Sequence, residues 1–391
     1  MMNRRHAITL AACGLVSPVG CRRQEKVEAT GKPHEPEIPA PAAVAREGRS
    51  LIPVKVEEAL EIRRVAGLRP FRPVGFVVRR EEVNGKTLVH NYGHGGGGMS
   101  LSWGSAHLAV KLAQPVAGKS CAVIGGGVMG LSTARLLQLQ GADVTILTRE
   151  LPPNTTSNVA GAQWWPFSVF DPDRRTDAFG AQYVEAAQFA YDYFQKLVGP
   201  RWGVRWLPNY YLSDEPPTNG WLAGPGGVLH HMQVGFHDFG PGEHVFPARH
   251  ARRFFTMMIE PSLYLNTLLL DVHTAGAKIE VRSFSSAEEI LGLPHEVIFN
   301  CTGLGAGQLF HDPELVPIKG QLSLLLPQPG VDYNLITNSA YMFPRADGIV
   351  LGGTYEKGQW DATPTAEASQ NILRSHQRLF SEMARLQGSG G

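Results

Sequence analysis

A glycine-rich turn between two apolar stretches constrains the fold of this 391-residue chain more than any other feature. Residues 121–124 predict a buried strand, residues 125–130 form the turn, and a helix is expected from there to Gln140. Residues 144–147 then predict a second strand, parallel to the first. This order predicts an α/β fold with a Rossmann-type strand–helix–strand unit.

The glycines of this turn follow the pattern G-x-G-x-x-G at Gly125, Gly127 and Gly130. In such a unit the first glycine allows the tight turn, the second lets the backbone approach a pyrophosphate, and the third lets helix pack on strand. The pattern predicts dinucleotide binding, and a plain parallel-sheet turn is the alternative. An acid after the second strand should bond the ribose hydroxyls, so Glu150 is predicted there, with Arg149 beside it.

The balance of charge limits the classes of partner. The chain has 36 Lys and Arg against 35 Asp and Glu, and no long run of one sign, which gives no electrostatic case for nucleic acid or a polybasic membrane contact. Small molecules are therefore the expected partners. Cys121 and Cys301 lie in apolar runs, and two lone buried thiols predict neither a disulfide framework nor a metal site.

The N-terminal segment has the pattern of an export signal. Arg4-Arg5 precede an apolar stretch, residues 7–19, that is too short to span a bilayer and indicates the twin-arginine route. Residues 1–21 are predicted as this signal and residues 22–50 as a disordered tether. Lipid attachment at Cys13 or Cys21 stays open, as does a misassigned signal. The predicted location is the periplasm or cell envelope.

Other elements are predicted more weakly. Residues 57–66 form a helix candidate, and the prolines of residues 67–73 then predict an irregular or edge segment. A short strand at residues 87–90 precedes a glycine loop and a helix at residues 102–112. Further helices are expected at 177–197, 261–275 and 363–386, and strands at 206–212, 296–301 and within 322–353.

Several separate segments carry a resemblance to a known family. They are GLRP at residues 67–70, HNYGHGG at 90–96, WG at 103–104, VAGAQWWP at 159–166, NCTGLGA at 300–306, PIKGQ at 317–321 and LGGTY at 351–355. Together they resemble the family of D-amino-acid oxidase and D-aspartate oxidase. The resemblance covers residues 55–385 and implies FAD as the cofactor.

The order of these segments differs from that of the family. There the glycine fingerprint opens the chain and the GLRP and HNYGHGG segments close it, whereas here those two come first. The chain is therefore predicted to be circularly permuted, with residues 114–119 joining the old ends. The predicted FAD-binding domain comprises residues 87–182 and 262–305. The predicted substrate domain, on a mixed, largely antiparallel sheet, comprises residues 51–86, 183–261 and 306–386.

The resemblance implies oxidation of a D-amino acid. Arg69 corresponds to the arginine that grips the α-carboxylate, and a guanidinium fork suits that group. The implied reaction is hydride transfer from Cα to the flavin N5, release of an imino acid, and reoxidation by dioxygen to give hydrogen peroxide. Gly96 and Tyr341 are implied at the catalytic centre with Arg69, although Tyr341 also fits a core position.

The resemblance and the fingerprint together define a set of expected cofactor contacts, and no metal ligands, because His90 and His94 flank glycines rather than sharing a helix face. The expected cofactor residues are Gly95, Gly96, Gly97, Met99, Ser100, Gly125, Gly127, Val128, Met129, Gly130, Arg149, Glu150, Thr155, Thr156, Ala160, Gly161, Ala162, Gln163, Thr302 and Gly303.

Some features leave alternatives open. The family often has a tyrosine before the helix near Pro261, where this chain has Phe254-Phe255. His250, Arg252 and Arg253 form either a site for a substrate side-chain carboxylate, which would favour D-aspartate or D-glutamate, or a solvated face. A glycine- or sarcosine-type amine oxidase, a dehydrogenase with another acceptor, and a non-catalytic envelope flavin-binding protein are the alternative functions. The accepted side chain and a homodimer also stay open.

Overall fold

The computed structural model describes residues 50–161 and 163–388. Two sheets and the helices around them make up this part of the chain. Its strands are β1 (Glu61–Phe71), β2 (Val77–Val83), β3 (Lys86–Tyr92), β4 (Ser120–Ile124), β5 (Asp143–Thr148), β6 (Val204–Ser213), β7 (Val234–Phe239), β8 (His250–Ile259), β9 (Lys278–Val281), β10 (Val297–Asn300), β11 (Val316–Leu325), β12 (Asn334–Ile336), β13 (Tyr341–Arg345), β14 (Gly348–Gly352) and β15 (Glu356–Lys357). Its α-helices are α1 (Gly98–Ala113), α2 (Val128–Leu139), α3 (Asp177–Gln195), α4 (Pro261–Thr274), α5 (Ala287–Leu291), α6 (Gly305–Leu309) and α7 (Ala366–Gly388).

The first sheet has the strand order β2-β3-β10-β4-β5-β9. From β3 to β9 neighbouring strands are parallel, and β2 joins β3 as an antiparallel hairpin. The hairpin turns at Asn84-Gly85, both with positive φ, as a two-residue turn of this kind requires. β4 and β10 are buried over almost their whole length, which explains their continuous apolar sequences.

Helices cover both faces of this sheet. On one face α1, α2, α3 and α4 share a core that includes Trp103, Leu131, Tyr183 and Leu265. α1 and α3 cross closely, because a Cβ on Gly104 would lie 1.7 Å from the carbonyl oxygen of Ala186. On the other face α5 and α6 pack against β4, β5 and β10 in a second core.

The second sheet has the order β1-β11-β14-β13-β12-β6-β8-β7, with β15 also beside β11. Its neighbours are antiparallel except for β12 and β6. One face packs against α7 through residues such as Ile372, Phe380 and Met383. The opposite face lines a cavity. The predicted largely antiparallel sheet is confirmed.

The helix predicted at residues 57–66 is wrong. A single 3₁₀ turn at Glu58–Leu60 leads directly into β1, whose residues pair with β11 from Glu61↔Leu325 to Phe71↔Val316. Pairing with a distant strand overrides the local helix preference. β1 lies at the edge of its sheet, as the prolines of residues 67–73 predict.

The remaining helix predictions are confirmed, with α1 beginning at Gly98 rather than at Ser102. The predicted domain bounds differ from the structure in two places. β2 lies in the first sheet, and the C-terminal half of α3 packs with α1, although residues 51–86 and 183–261 were assigned to the substrate domain. β2 is held by its hairpin neighbour β3, and the C-terminal half of α3 is held by α1, which is distant in sequence.

No helix between residues 50 and 388 combines the length and the apolar character needed to cross a bilayer. The predicted signal at residues 1–21, with Cys13 and Cys21, and all of the tether except Ser50 lie outside the described residues.

Candidate active site

A cavity of about 1950 Å³ lies between the two sheets. One side is formed by the loops that follow β3, β4, β5 and β10 in the first sheet, and the other by the open face of the second sheet. Ligands of open α/β sheets bind beyond the carboxyl ends of parallel strands, so the cavity lies where such a site is expected.

The nucleotide end of the cavity, defined as residues 125–130 and 148–150, is built from close backbone packing. Gly125 has a φ of 123°, and a Cβ on Gly130 would lie 1.9 Å from the carbonyl oxygen of Gly125. A Cβ on Gly126 would lie 2.8 Å from the carbonyl oxygen of Glu150. The first turn of α2 therefore packs closely against the end of β4, and its N-terminus lies on the cavity wall, a position that suits a phosphate.

The loop after β5 places Arg149 and Glu150 on the cavity wall. The Thr148 hydroxyl donates to the carbonyl oxygen of Glu150 at 2.7 Å and fixes the loop. Arg149 Nε lies 3.8 Å from Glu150 Oε1, and both side chains are exposed. This position is consistent with the predicted ribose contact.

The glycine loop before α1 forms a second wall. Gly96, Met99 and Ser100 line the cavity, and the Ser100 hydroxyl accepts from the backbone N–H of Trp165 at 3.1 Å. Gly97, one of the predicted cofactor residues, faces away, because a Cβ there would lie 2.5 Å from Val169 Cγ2. Two helix N-termini, those of α1 and α2, therefore open onto one cavity.

A buried polar chain supports both helix N-termini. His94 Nε2 lies 2.6 Å from Ser105 Oγ, which donates to Asn91 Oδ1 at 2.5 Å, and Asn91 Nδ2 donates to Thr133 Oγ1 at 3.1 Å. Burial lowers the pKa of His94 to about 3, so its imidazole is neutral near pH 7. His90 is held separately by Asn300 at 2.9 Å, and the two histidines share no ligand geometry.

Most of the described residues between Thr155 and Trp165 line the cavity, and several of them are hydrogen-bonded to the second sheet. Arg345 Nη1 donates to the carbonyl oxygen of Ala160 at 3.0 Å, and Asn334 Nδ2 donates to Gln163 Oε1 at 3.2 Å. The backbone N–H of Trp164 donates to the carbonyl oxygen of Met257 at 2.6 Å. Arg345 and Asn334 were not predicted as site residues, because each acts only through this distant segment.

Arg69 and Tyr341 meet on the cavity face of the second sheet, although 272 residues separate them in sequence. Arg69 Nη2 lies 3.4 Å from Tyr341 Oη. Arg69 Nη1 is buried and has no hydrogen-bond partner in the protein. A buried guanidinium nitrogen without a partner is costly, so an anionic ligand beside it would complete the site. Tyr341 lines the cavity and also packs on Phe343 at the edge of a core cluster.

The far wall of the cavity comes from alternate residues of β6 and β8. Asn209 and Tyr211 face the cavity from β6, and Arg252 and Phe254 face it from β8. Phe254 is one of the two phenylalanines found where the family resemblance implies a tyrosine in the sequence, and it is the one that lines the cavity. The alternation of side chains along a strand was the signal for Asn209 and Tyr211, but it does not say which face lines a cavity.

Arg252 is already engaged within the protein. Its Nε and Nη2 donate to the two carboxylate oxygens of Asp238 at 2.7 and 2.8 Å, and Nη2 lies 3.2 Å from Asn219 Oδ1. The bidentate pair offsets the charge of Arg252. The alternative in which Arg252 receives a substrate carboxylate therefore requires Asp238 to be displaced.

The cavity brings together most of the predicted site residues. Those on its walls are Arg69, Gly95, Gly96, Met99, Ser100, Gly125, Gly127, Val128, Met129, Arg149, Glu150, Thr155, Thr156, Ala160, Gly161, Gln163, Thr302, Gly303 and Tyr341. Gly97 and Gly130 do not line it and serve backbone packing instead. Ala162 lies outside the described residues.

The chain belongs to the family of FAD-dependent oxidoreductases, whose model matches residues 120–390. It is 34% identical over 260 residues to a D-amino-acid oxidase of Rubrobacter xylanophilus, covering 64% of this chain and 74% of that relative. It is 28% identical over 259 residues to a D-aspartate oxidase of Homo sapiens, covering 64% and 73%. A glycine oxidase from Geobacillus kaustophilus has the same fold, with a TM-score of 0.51 at 16% identity over 68% of this chain and 80% of that chain.

FAD is therefore the cofactor of this cavity, and the residues present fit it. The turn at Gly125, Gly127 and Gly130 leaves room for a pyrophosphate beside the α2 N-terminus. Gly161 lies under Phe343, since a Cβ on Gly161 would be 2.8 Å from that ring. The chain is an FAD-dependent oxidoreductase with relatives among the D-amino-acid oxidases.

Proposed function

We propose that this enzyme deaminates a D-amino acid oxidatively, with hydride transfer from Cα to the flavin N5. The products are an imino acid, which water hydrolyses to a 2-oxo acid and ammonia, and hydrogen peroxide from dioxygen. The observation that carries the proposal is the buried, unpartnered Nη1 of Arg69 beside the Tyr341 hydroxyl. The identity to a D-amino-acid oxidase supports the same substrate class.

The protein contributes position more than acid–base chemistry. Arg69 would bind the α-carboxylate through two N–H groups, and the Tyr341 hydroxyl would donate to the same carboxylate. Two fixed contacts at one end of the substrate set the direction of the Cα–H bond. When bound, FAD would supply the two-electron redox chemistry, with dioxygen as the proposed final acceptor.

The far wall favours neutral over acidic substrate side chains. Asn209, Tyr211 and Phe254 offer amide, hydroxyl and aromatic surfaces, and Arg252 is neutralised by Asp238. We propose that D-aspartate and D-glutamate are poorer substrates than neutral D-amino acids.

The test is anaerobic reduction of the purified, flavin-bound protein. The visible spectrum is recorded with D-alanine, D-asparagine, D-aspartate and glycine, and with the L forms of the chiral three. Bleaching by a neutral D-amino acid and not by its L form supports the proposal, and peroxide formation on readmission of air supports oxygen as the acceptor. Reduction without peroxide indicates a dehydrogenase. A flavin that no amino acid reduces would overturn the proposal in favour of a flavin-binding protein.

Circular permutation of the chain is a second part of the proposal. The family match begins at residue 120, whereas β1, β3 and α1, which precede it, contribute to both sheets and to the cavity. Residues 114–119 would be the new connection between α1 and β4. A chain that starts at residue 119, with residues 51–113 linked after residue 388, should then fold and bind FAD. Its failure to bind FAD would argue against permutation.

Export to the cell envelope is the third part of the proposal. It is supported by Arg4-Arg5 and the apolar residues 7–19, since the twin-arginine route carries proteins already folded around a cofactor. The proposal also includes a lipid anchor and a homodimer. Replacement of Arg4-Arg5 by lysines should retain the protein in the cytoplasmic fraction, and unchanged fractionation would contradict the route.

A further inference from the structure

We propose that Gly320 and Gly352 are positioning residues that keep open the space in which Arg69 and Tyr341 meet. The inference deepens the proposed function, since it rests on these two side chains forming the carboxylate site. Two strands, β11 and β14, separate β1 from β13 in the sheet. With about 4.8 Å between neighbouring strands, the side chains of Arg69 and Tyr341 must lie flat across both to meet.

Gly320 is the residue of β11 over which Arg69 passes. A Cβ on Gly320 would lie 2.5 Å from both Nη1 and Nη2 of Arg69. The φ of Gly320 is outside the left-handed region, so its backbone conformation is open to any residue. The contact with the guanidinium is therefore the reason that this position needs glycine.

Gly352 has the same relation to Tyr341. The two residues are direct partners in the β13–β14 ladder, and a Cβ on Gly352 would lie 2.1 Å from Tyr341 Cζ and 2.5 Å from its Oη. An aromatic ring that lies over a cross-strand glycine is a known packing arrangement, and here it turns the hydroxyl toward Arg69. Gly352 also has a φ outside the left-handed region.

The atoms in the way are the far ends of side chains that can rotate, not backbone. An added methyl group should therefore leave the fold intact and displace the guanidinium or the phenol. The expected loss is in carboxylate binding, and FAD content and the thermal midpoint should stay close to those of the unaltered protein. A Cβ that clashes with backbone, as one at Gly130 would, should instead lower the FAD content and the thermal midpoint.

The experiment titrates the FAD-bound protein with benzoate, a carboxylate without an α-hydrogen, and follows the flavin spectrum. G320A and G352A should each weaken benzoate binding by about tenfold or more, as expected for loss of a charge-assisted hydrogen bond. G240A is the matched control, because a Cβ there has only ordinary contacts, no closer than 3.5 Å, and Gly240 is outside the cavity. Benzoate binding to G320A and G352A as tight as in the unaltered protein would overturn the inference.

Double variants separate positioning from a general effect on the sheet. If Gly320 acts through Arg69, G320A should change benzoate affinity little in an R69A background, and G352A little in a Y341A background. If a glycine substitution weakens benzoate binding as much in the R69A or Y341A background as in the unaltered protein, the glycine does not act through that side chain. These measurements need no turnover, so a protein that no amino acid reduces would defeat the proposed function and still give a result for the glycines.

Discussion

The two ends of the cavity are built in different ways. The nucleotide end uses backbone from short contiguous stretches, residues 125–130 and 148–150, at the carboxyl ends of parallel strands. The opposite end, which we call the sheet end and define by Arg69 and Tyr341, uses side chains that cross an antiparallel sheet and are 272 residues apart. The geometry of the nucleotide end is set by one local turn, whereas the geometry of the sheet end is set by the order of strands in the sheet.

This difference teaches where each end is vulnerable. At Gly130 an added methyl group would meet a carbonyl oxygen of the backbone, which cannot rotate away. At Gly320 it would meet the guanidinium of Arg69, which can. Damage at the nucleotide end should therefore appear in folding and cofactor retention, and damage at the sheet end in substrate binding.

The largest effect is expected for G130A. The new Cβ would lie 1.9 Å from the carbonyl oxygen of Gly125, so α2 must move off β4. We expect a loss of about 3 kcal/mol or more in the free energy of unfolding, with loss of FAD, measured by urea denaturation and flavin content.

The control for G130A is G127A in the same turn. A Cβ on Gly127 would meet only Ser157 Oγ, at 3.3 Å, so the apoprotein should keep most of its stability while FAD affinity falls. Equal stability of G127A and G130A would mean that α2 can move away from β4 at little cost, and that the nucleotide end is not rigidly packed.

R69K should have the next largest effect. Lysine keeps the charge but loses the planar fork, and we expect kcat/KM for a D-amino acid to fall about a hundredfold with FAD content unchanged. R64K is the control, because Arg64 lies on the same strand outside the cavity, with a partly exposed side chain paired to Glu61. Loss of FAD from R69K would show that the sheet end also affects cofactor retention, and would contradict the separation of the two ends.

The same contrast explains how much could be predicted from sequence. Gly125, Gly127 and Gly130 lie within six residues, and the flanking strands and helix define their geometry. The dinucleotide end of the site was therefore predicted from residues alone, with only Gly130 packing behind the wall rather than on it.

The sheet end was predicted only through family resemblance. Nothing near Arg69 in sequence indicates that its guanidinium meets Tyr341, because that contact depends on the order β1-β11-β14-β13. The helix prediction for residues 57–66 was wrong for the same reason, because β1 is held by pairing with the distant strand β11. Gly320 and Gly352 were part of the matched segments but had no predicted role.

Y341F tests the role of the Tyr341 hydroxyl within the sheet end. Phenylalanine keeps the ring over Gly352 and removes only the hydroxyl beside Arg69. We expect KM to rise about five- to tenfold, less than for R69K, because a neutral donor contributes less than a charged one. A fall in the thermal midpoint without a change in KM would mean that Tyr341 serves packing alone.

At neutral pH the smallest effect is expected behind the nucleotide end, at His94. Burial lowers the pKa of His94 to about 3, whereas the unfolded value is near 6.5. Below pH 6.5 His94 binds a proton in the unfolded chain but stays neutral in the folded protein. The free energy of unfolding therefore falls as the pH drops from about 6.5 to about 3. This histidine contributes at most about 1.4 kcal/mol per pH unit to that slope.

H94Q should remove this contribution, so its free energy of unfolding should fall less steeply over the same pH range in urea titrations. H231Q, which alters an exposed histidine bonded to Gln188, is the control and should keep the original slope. Because glutamine can still bond Ser105, the α1 N-terminus should stay in place. An unchanged slope in H94Q would mean that His94 takes up a proton in the fold, and the buried chain to Thr133 would then be more open than its hydrogen bonds indicate.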